Sequence, residues 1–333
     1  MIAKDYLGAY RDELKGIAMI WVVYFHAVLS ITGILSDIQK IGYGGADIFI
    51  FLTGFGLYYS LGKTRELCDY FKRRMRRILP AYLPLILCYL LVMLPSIELT
   101  TTQMIRSVIG NLLMVGFWFN TPGQFNWYVS ALFLFVVIAP ILYAFLIKST
   151  KRSRTLLLLL GWAFLMGLCL IGDRRYMGIS RLPVFIMGMF VASDWHLALS
   201  PWIKRLLLTL SFVVGVIVLL LCFDHYPWLL YDYGMYWHPF LLITPPLCIF
   251  TSYLLSKLDC VRFISKPLRI VGQASFEIYL LNAWLEEWAK REKLTGDLLW
   301  LGLSLGSILG GILYHQLVRV LESKIQRKNI QPA

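Results

Sequence analysis

The chain has 333 residues, 59% of them hydrophobic and 15% charged, with a mean hydropathy of +0.68. Soluble domains run at about 45–50% apolar and about 25% charged, so this composition excludes an ordinary soluble domain and predicts an all-α, polytopic membrane protein. The net charge of +13 reads as basic residues retained at cytoplasmic loops, not as a nucleic-acid surface.

Apolar runs long enough to span a bilayer need roughly 20 residues. Ten are predicted, near 16–35, 44–61, 78–96, 127–147, 155–172, 181–194, 206–223, 236–256, 270–288 and 298–319. The first is read as an uncleaved span, because it lacks a small-x-small cleavage site. The stretch 107–147 carries no charge, and its centre, "FNTPGQFN", is rich in turn residues. The flanking basic loops, "GKTRELCDYFKRRMRR" and "KSTKRSR", both belong inside, which demands an even number of spans between them. The prediction is therefore an external loop over 97–126, with a half-buried or re-entrant piece around "NLLMVGFWF". With both termini cytoplasmic, 24 of the 32 lysines and arginines fall inside and 8 outside. The whole of 1–333 reads as one transmembrane domain with no appended soluble domain. The six cysteines (Cys68, Cys88, Cys169, Cys222, Cys248 and Cys260) include no CxxC pair, so neither a disulfide framework nor a metal site is expected.

Within the first run stands His26, eleven residues after Lys15. Helical rise puts about 16 Å between them, which predicts an imidazole near the bilayer midplane. Ionisable residues at such depth are functional candidates, although a neutral histidine bonding across helices has the same pattern. Histidine titrates near neutrality and can take a proton from a hydroxyl. Asp47 or Glu277 is read as its orienting carboxylate. Arg73, Arg74, Arg76 and Arg77 form a basic cluster that holds its loop inside and meets anionic lipid. Arginine also grips phosphate with paired hydrogen bonds, and Arg74 and Arg77 share a helix face. Pro80 is placed in the first turn of the third span.

Four stretches in order carry a family resemblance: "LKGIAMIWVVYFH", "GGADIFIFLTGFGLYYSL", "FKRRMRRILPAYL" and "ASFEIYLLNAWL", with weaker support from "FNWYVSALFLF" and "RLPVFIMGMF". Together the chain resembles the acyltransferase-3 family of integral membrane acyltransferases, which includes bacterial polysaccharide O-acetyltransferases. Lys15, Thr53 and Asn282 stand where that family usually has Arg, Ser and His, and lysine lacks the planar fork of arginine.

The resemblance implies an O-acyltransferase of the bacterial inner membrane. It moves an acyl group from acetyl-CoA, or another short acyl-CoA, to a hydroxyl of a surface or lipid-linked glycan. No cofactor is permanently bound, and nucleic acid is not a partner. His26, Lys15 and Asp47 would be catalytic. Arg74, Arg77 and Arg73 would hold the CoA phosphates. Glu277, Tyr279, Asn282 and Trp127 would line the substrate path. Arg181 enters only through an Arg-x-Pro match. Direct attack and an acyl-histidine intermediate both remain open. Two readings compete with the enzyme. A multi-span transporter of a small anionic or sugar-like solute fits midplane charges equally well, but needs no cytosolic CoA clamp. A pH-sensing scaffold would use His26 as a switch and consume no CoA.

Overall fold

The computed structural model describes residues 3–64, 66–173, 175–193, 200–257 and 262–328; Cys260 lies outside them. The described elements are α1 (Ala3–Ala9), α2 (Arg11–His26), α3 (Ile34–Lys40), α4 (Gly44–Gly62), α5 (Leu67–Val92), α6 (Thr101–Leu112), α7 (Trp127–Lys148) and α8 (Lys151–Cys169). They continue as α9 (Tyr176–Ile179), α10 (Leu182–Ala192), α11 (Pro201–Asp224), α12 (Pro227–Asp232), α13 (Phe240–Lys257), α14 (Arg262–Gln273), α15 (Ser275–Arg291) and α16 (Asp297–Lys328). No strand occurs among the described residues.

Among the described residues, six helices are long and apolar enough to cross a membrane: Leu67–Ser96, Trp127–Lys148, Lys151–Cys169, Pro201–Asp224, Phe240–Lys257 and Asp297–Lys324. A seventh arises if α3 and α4, bent by 48° at their junction, count as one span. The protein is thus an all-helical, multi-pass membrane protein.

Three sequence expectations need correction. The first run does not continue helically to residue 35, because α2 stops at His26. The residues that follow, Val28–Gly33, include Ile31 and Thr32, whose branched β-carbons weaken a helix, and Gly33 turns the chain at φ 68°, a conformation glycine adopts freely. The stretch 270–288 is not one helix, since Ala274 separates α14 from α15; Gly272 beside the junction has poor helix propensity. Pro80 does not open a helix. It lies well inside α5, as does Pro84.

The chain divides into two compact units. Unit 1 comprises Met1–Leu14, Ala46–Tyr70 and Trp127–Val261. Within it α4 and α10 approach closely. A side chain at Gly54 would collide with the Phe185 carbonyl, and one at Gly188 with the Phe51 carbonyl. The two glycines thus let the two backbones pack directly against each other. Phe185 in turn stacks on Phe135 of α7, with ring centroids 5.0 Å apart. Elsewhere in the unit, the Trp162 indole donates to Nδ1 of buried His238 at 2.8 Å, while Tyr176 engages its Nε2.

Unit 2 comprises Lys15–Gly45, Phe71–Asn126 and Arg262–Ala333. Here α3 folds back on the last turns of α2. The Trp21 indole donates to the Ile38 carbonyl at 2.8 Å, and Tyr24 donates to the Leu35 carbonyl at 3.0 Å. The Gln39 amide caps the end of α2 by donating to the carbonyls of Tyr24 (2.8 Å) and Ala27 (2.6 Å), so helix-end acceptors are satisfied by a side chain.

The segment between α6 and α7, residues 113–126, is not helical. Buried Asn111 organises it: its amide donates to the carbonyls of Ser107 and Gly123, both at 3.0 Å, and its oxygen accepts from the Phe125 amide at 2.8 Å. Tyr82 of α5 donates to the Asn111 carbonyl at 2.7 Å.

Candidate active site

His26 is the last residue of α2. Its imidazole lies at a helix end, not in the middle of a long span as expected. The carboxylate that reaches it is Glu286 of α15, which sequence reasoning missed; Oε2 pairs with His26 Nδ1. The other oxygen of Glu286 takes Lys290 Nζ, one turn further along α15. Glu286 is only 14% exposed and His26 28%. A carboxylate oxygen and a bare imidazole nitrogen are both acceptors, so the contact places a proton on Nδ1. Nε2 is then the nitrogen left to exchange a proton.

Lys15 is half-buried three turns below His26 on α2. Eleven residues return a helix to nearly the same face, so the two side chains line one stripe about 16 Å apart. Arg74 is half-buried on α5, whereas Arg73 and Arg77 are exposed.

The three polar residues singled out on α15 each hold a partner within unit 2. Glu277 Oε1 accepts from His315 Nδ1 of α16 at 2.9 Å. The Tyr279 hydroxyl donates to Asn126 Oδ1 at 2.8 Å, tying the helix to the end of the Asn111-organised loop. The Asn282 amide lies 3.4 Å from the Ser307 hydroxyl. Helix α15 is therefore the polar spine of this unit. Its last turn also reaches the residues just after α5, where Arg291 Nη1 donates to the Met93 carbonyl at 3.1 Å and the Ser96 hydroxyl at 2.6 Å.

Unit 1 holds a second charged group. Asp47, in the first turn of α4, is fully buried. Its counter-ion is Arg181, 2% exposed, with Nε 3.6 Å from Oδ2. That separation exceeds a hydrogen bond, and neither Asp47 oxygen has a hydrogen-bond partner among the described residues. The guanidinium also lies over the Trp127 ring, 4.5 Å from its centroid, and donates to the Met177 carbonyl. The Arg-x-Pro and Trp127 signals of the sequence thus meet Asp47 in one place. No group of three or more metal-ligating side chains occurs among the described residues.

An all-helical membrane protein with carboxylate–histidine pairs inside its helix bundle belongs to the class of multi-span proteins with embedded ionisable sites. The comparisons define it further. The family model described as an acyltransferase domain matches residues 9–315, and the chain belongs to this acyltransferase-3 family. That answers the choice between enzyme and transporter in favour of the enzyme. Curated relatives include the O-acetyltransferase OatA of Staphylococcus aureus strains NCTC 8325 / PS 47, COL and MRSA252. Each is 26% identical over 319 residues, covering 81% of this chain and 49% of the relative. The chain therefore spans about half the length of the curated relatives it matches. No solved structure matches it.

Proposed function

We propose that the protein is a membrane O-acyltransferase, most simply an O-acetyltransferase, of the bacterial inner membrane. The donor is cytosolic acetyl-CoA or another short acyl-CoA, and the acceptor is a hydroxyl of a surface or lipid-linked glycan. Family membership supports the reaction class. The observation that carries the mechanism is His26 at the end of α2, held through Nδ1 by a carboxylate. Its Nε2 takes the proton of the acceptor hydroxyl as that oxygen attacks the thioester carbonyl. The new C–O bond forms and the C–S bond breaks. The proton then passes from Nε2 to the departing thiolate, and CoA leaves as the thiol. An acyl-histidine route would use the same nitrogen. Rapid-quench trapping of an acyl-enzyme that is absent in His26→Ala separates the two.

Arg74 and Arg77, with Arg73, are the phosphate clamp in this reading, and Lys15 contributes positive charge along the stripe that leads to His26. The thioester must climb about 16 Å from the level of Lys15 to that of His26. Within unit 2, the α15 residues Glu277, Tyr279 and Asn282 shape the acceptor side in this reading.

The topology we propose has ten spans with both termini cytoplasmic. Contacts within unit 2 support its parity. The C-terminal ends of α2, α5 and α15 gather at one end of the unit through His26–Glu286 and Arg291–Met93. There Asp297, which opens α16, accepts from the Ser30 amide at 2.9 Å. First, third and ninth spans running outward, with a tenth returning, produce this arrangement.

The deciding experiment is calorimetric titration of acetyl-CoA into the protein in lipid nanodiscs, beside an Arg74→Ala/Arg77→Ala variant. Saturable binding that the double variant loses is expected. Folded wild-type protein that binds neither acetyl-CoA nor other short acyl-CoAs would overturn the CoA-dependent reading.

A further inference from the structure

We infer that Glu286 is the positioning residue for His26, holding the imidazole in the one tautomer that can act as the base. The inference rests on the transferase reading above. It deepens that reading by assigning the orienting carboxylate, for which the sequence offers Asp47 or Glu277.

Three observations carry it. First, the contact is made by Nδ1, not Nε2. A carboxylate there fixes the proton on Nδ1 and leaves the lone pair on Nε2, which is the orienting role of the carboxylate in a hydrolase triad. Second, Glu286 is itself held. Its two oxygens divide between His26 and Lys290, so rotating the carboxylate away breaks both contacts. The Glu-to-Lys order at i and i+4 is the favourable one on a helix. Third, the two backbones are anchored independently of this pair. On the His26 side, Gln39 caps α2. On the Glu286 side, Arg291 ties the last turn of α15 to Met93 and Ser96. The imidazole and the carboxylate are therefore presented by fixed elements, and the pair need not hold the fold together to exist. Glu277, the rival from sequence, is occupied by His315.

Glu286 touches no reacting atom in this scheme. The proton moves from the acceptor hydroxyl to Nε2 and on to sulfur, while the Nδ1 proton stays in place and the carboxylate stabilises the imidazolium formed in between. Loss of the carboxylate should therefore reduce turnover without weakening donor binding.

The test uses the full chain in nanodiscs, with Glu286→Gln, Glu286→Asp and His26→Ala beside wild type. Glu286→Gln is expected to lower kcat for acyl transfer by about 100-fold or more, with acetyl-CoA affinity unchanged; Glu286→Asp should recover part of the rate. Nitrogen-15 spectra of labelled histidine should show an Nδ1-protonated signal that disappears in His26→Ala and loses its tautomer preference in Glu286→Gln. This readout needs no turnover. Unchanged kcat in Glu286→Gln, while His26→Ala is inactive, would overturn the positioning role and leave the transferase reading standing. A His26 tautomer protonated on Nε2 in wild type would also overturn it. Full activity in His26→Ala would instead remove the general base, and the transferase mechanism with it.

Discussion

Buried charge at residue scale has a definite energetic signature in Asp47 and Arg181. The pair is shut away from water yet sits 3.6 Å apart without a hydrogen bond between the charged groups. Removing one member of such a pair strands the other and costs about 3–5 kcal/mol, whereas replacing both with apolar groups is often close to neutral. Asp47→Ala should therefore lower the apparent unfolding midpoint in detergent by several degrees, and Asp47→Ala/Arg181→Leu should recover most of that loss. Equal losses from the single and double variants would show that the two charges do not compensate each other. Residues of this kind were legible in the sequence, because an aspartate or histidine stands out in an apolar run. Glu286 and His315 were not. Glu286 lies in "LEEWAKRE" at the polar end of its helix, where charges are ordinary, and His315 lies in a helix otherwise read only as a span. Which carboxylate faces which imidazole depends on how α2, α15 and α16 cross, and spacing along one strip of sequence does not hold that information.

Helix contacts carry the next scale. The α4–α10 contact depends on Gly54 and Gly188 standing opposite the carbonyls of Phe185 and Phe51. A substituent there meets backbone, which cannot swing aside as a side chain can. Gly188→Val should cost at least about 1–3 kcal/mol by overpacking. It should also lower the midpoint more than valine at Gly161 of α8, where an added β-carbon meets nothing within 4 Å. Equal effects at the two sites would argue against the close crossing. Sequence alone does not say which backbone carbonyl stands opposite Gly54 or Gly188. The same limit explains the boundaries. Apolar length alone joins 16–35 into one span, while the break after His26 comes from a branched run, a left-handed glycine and a cap supplied by Gln39 thirteen residues later. Within 97–126 the turn residues of "FNTPGQFN" fall in the non-helical part, α6 occupies Thr101–Leu112, and Asn111 is the side chain that organises the segment after it.

Topology belongs to the whole molecule, and the ten-span arrangement can be checked without knowing any substrate. It puts the loop holding Lys63 and the one holding Lys151 in the cytosol, and the segments around Glu98 and Glu292 outside. All four side chains are exposed. Each is replaced singly by cysteine in a background whose natural cysteines are changed to serine or alanine, since Cys68 and Cys88 are themselves exposed. A membrane-impermeant maleimide applied to intact spheroplasts should label the variants at 98 and 292 and spare those at 63 and 151 until the membrane is opened. The charge bias predicts the cytosolic pair, because basic loops stay inside. The unit 2 contacts predict the other pair independently, because Arg291 reaches Met93 and Ser96 and so ties the segment after α15 to the end of α5. Opposite labelling of 98 and 292 would break that link and mean an odd number of crossings between them. Labelling of both together with 63 would leave the contacts intact and mean an even number of crossings, not one, between residues 63 and 98. Labelling as expected would put the His26 end of α2 on the acceptor's side of the membrane and the Arg74–Arg77 end of α5 on the donor's.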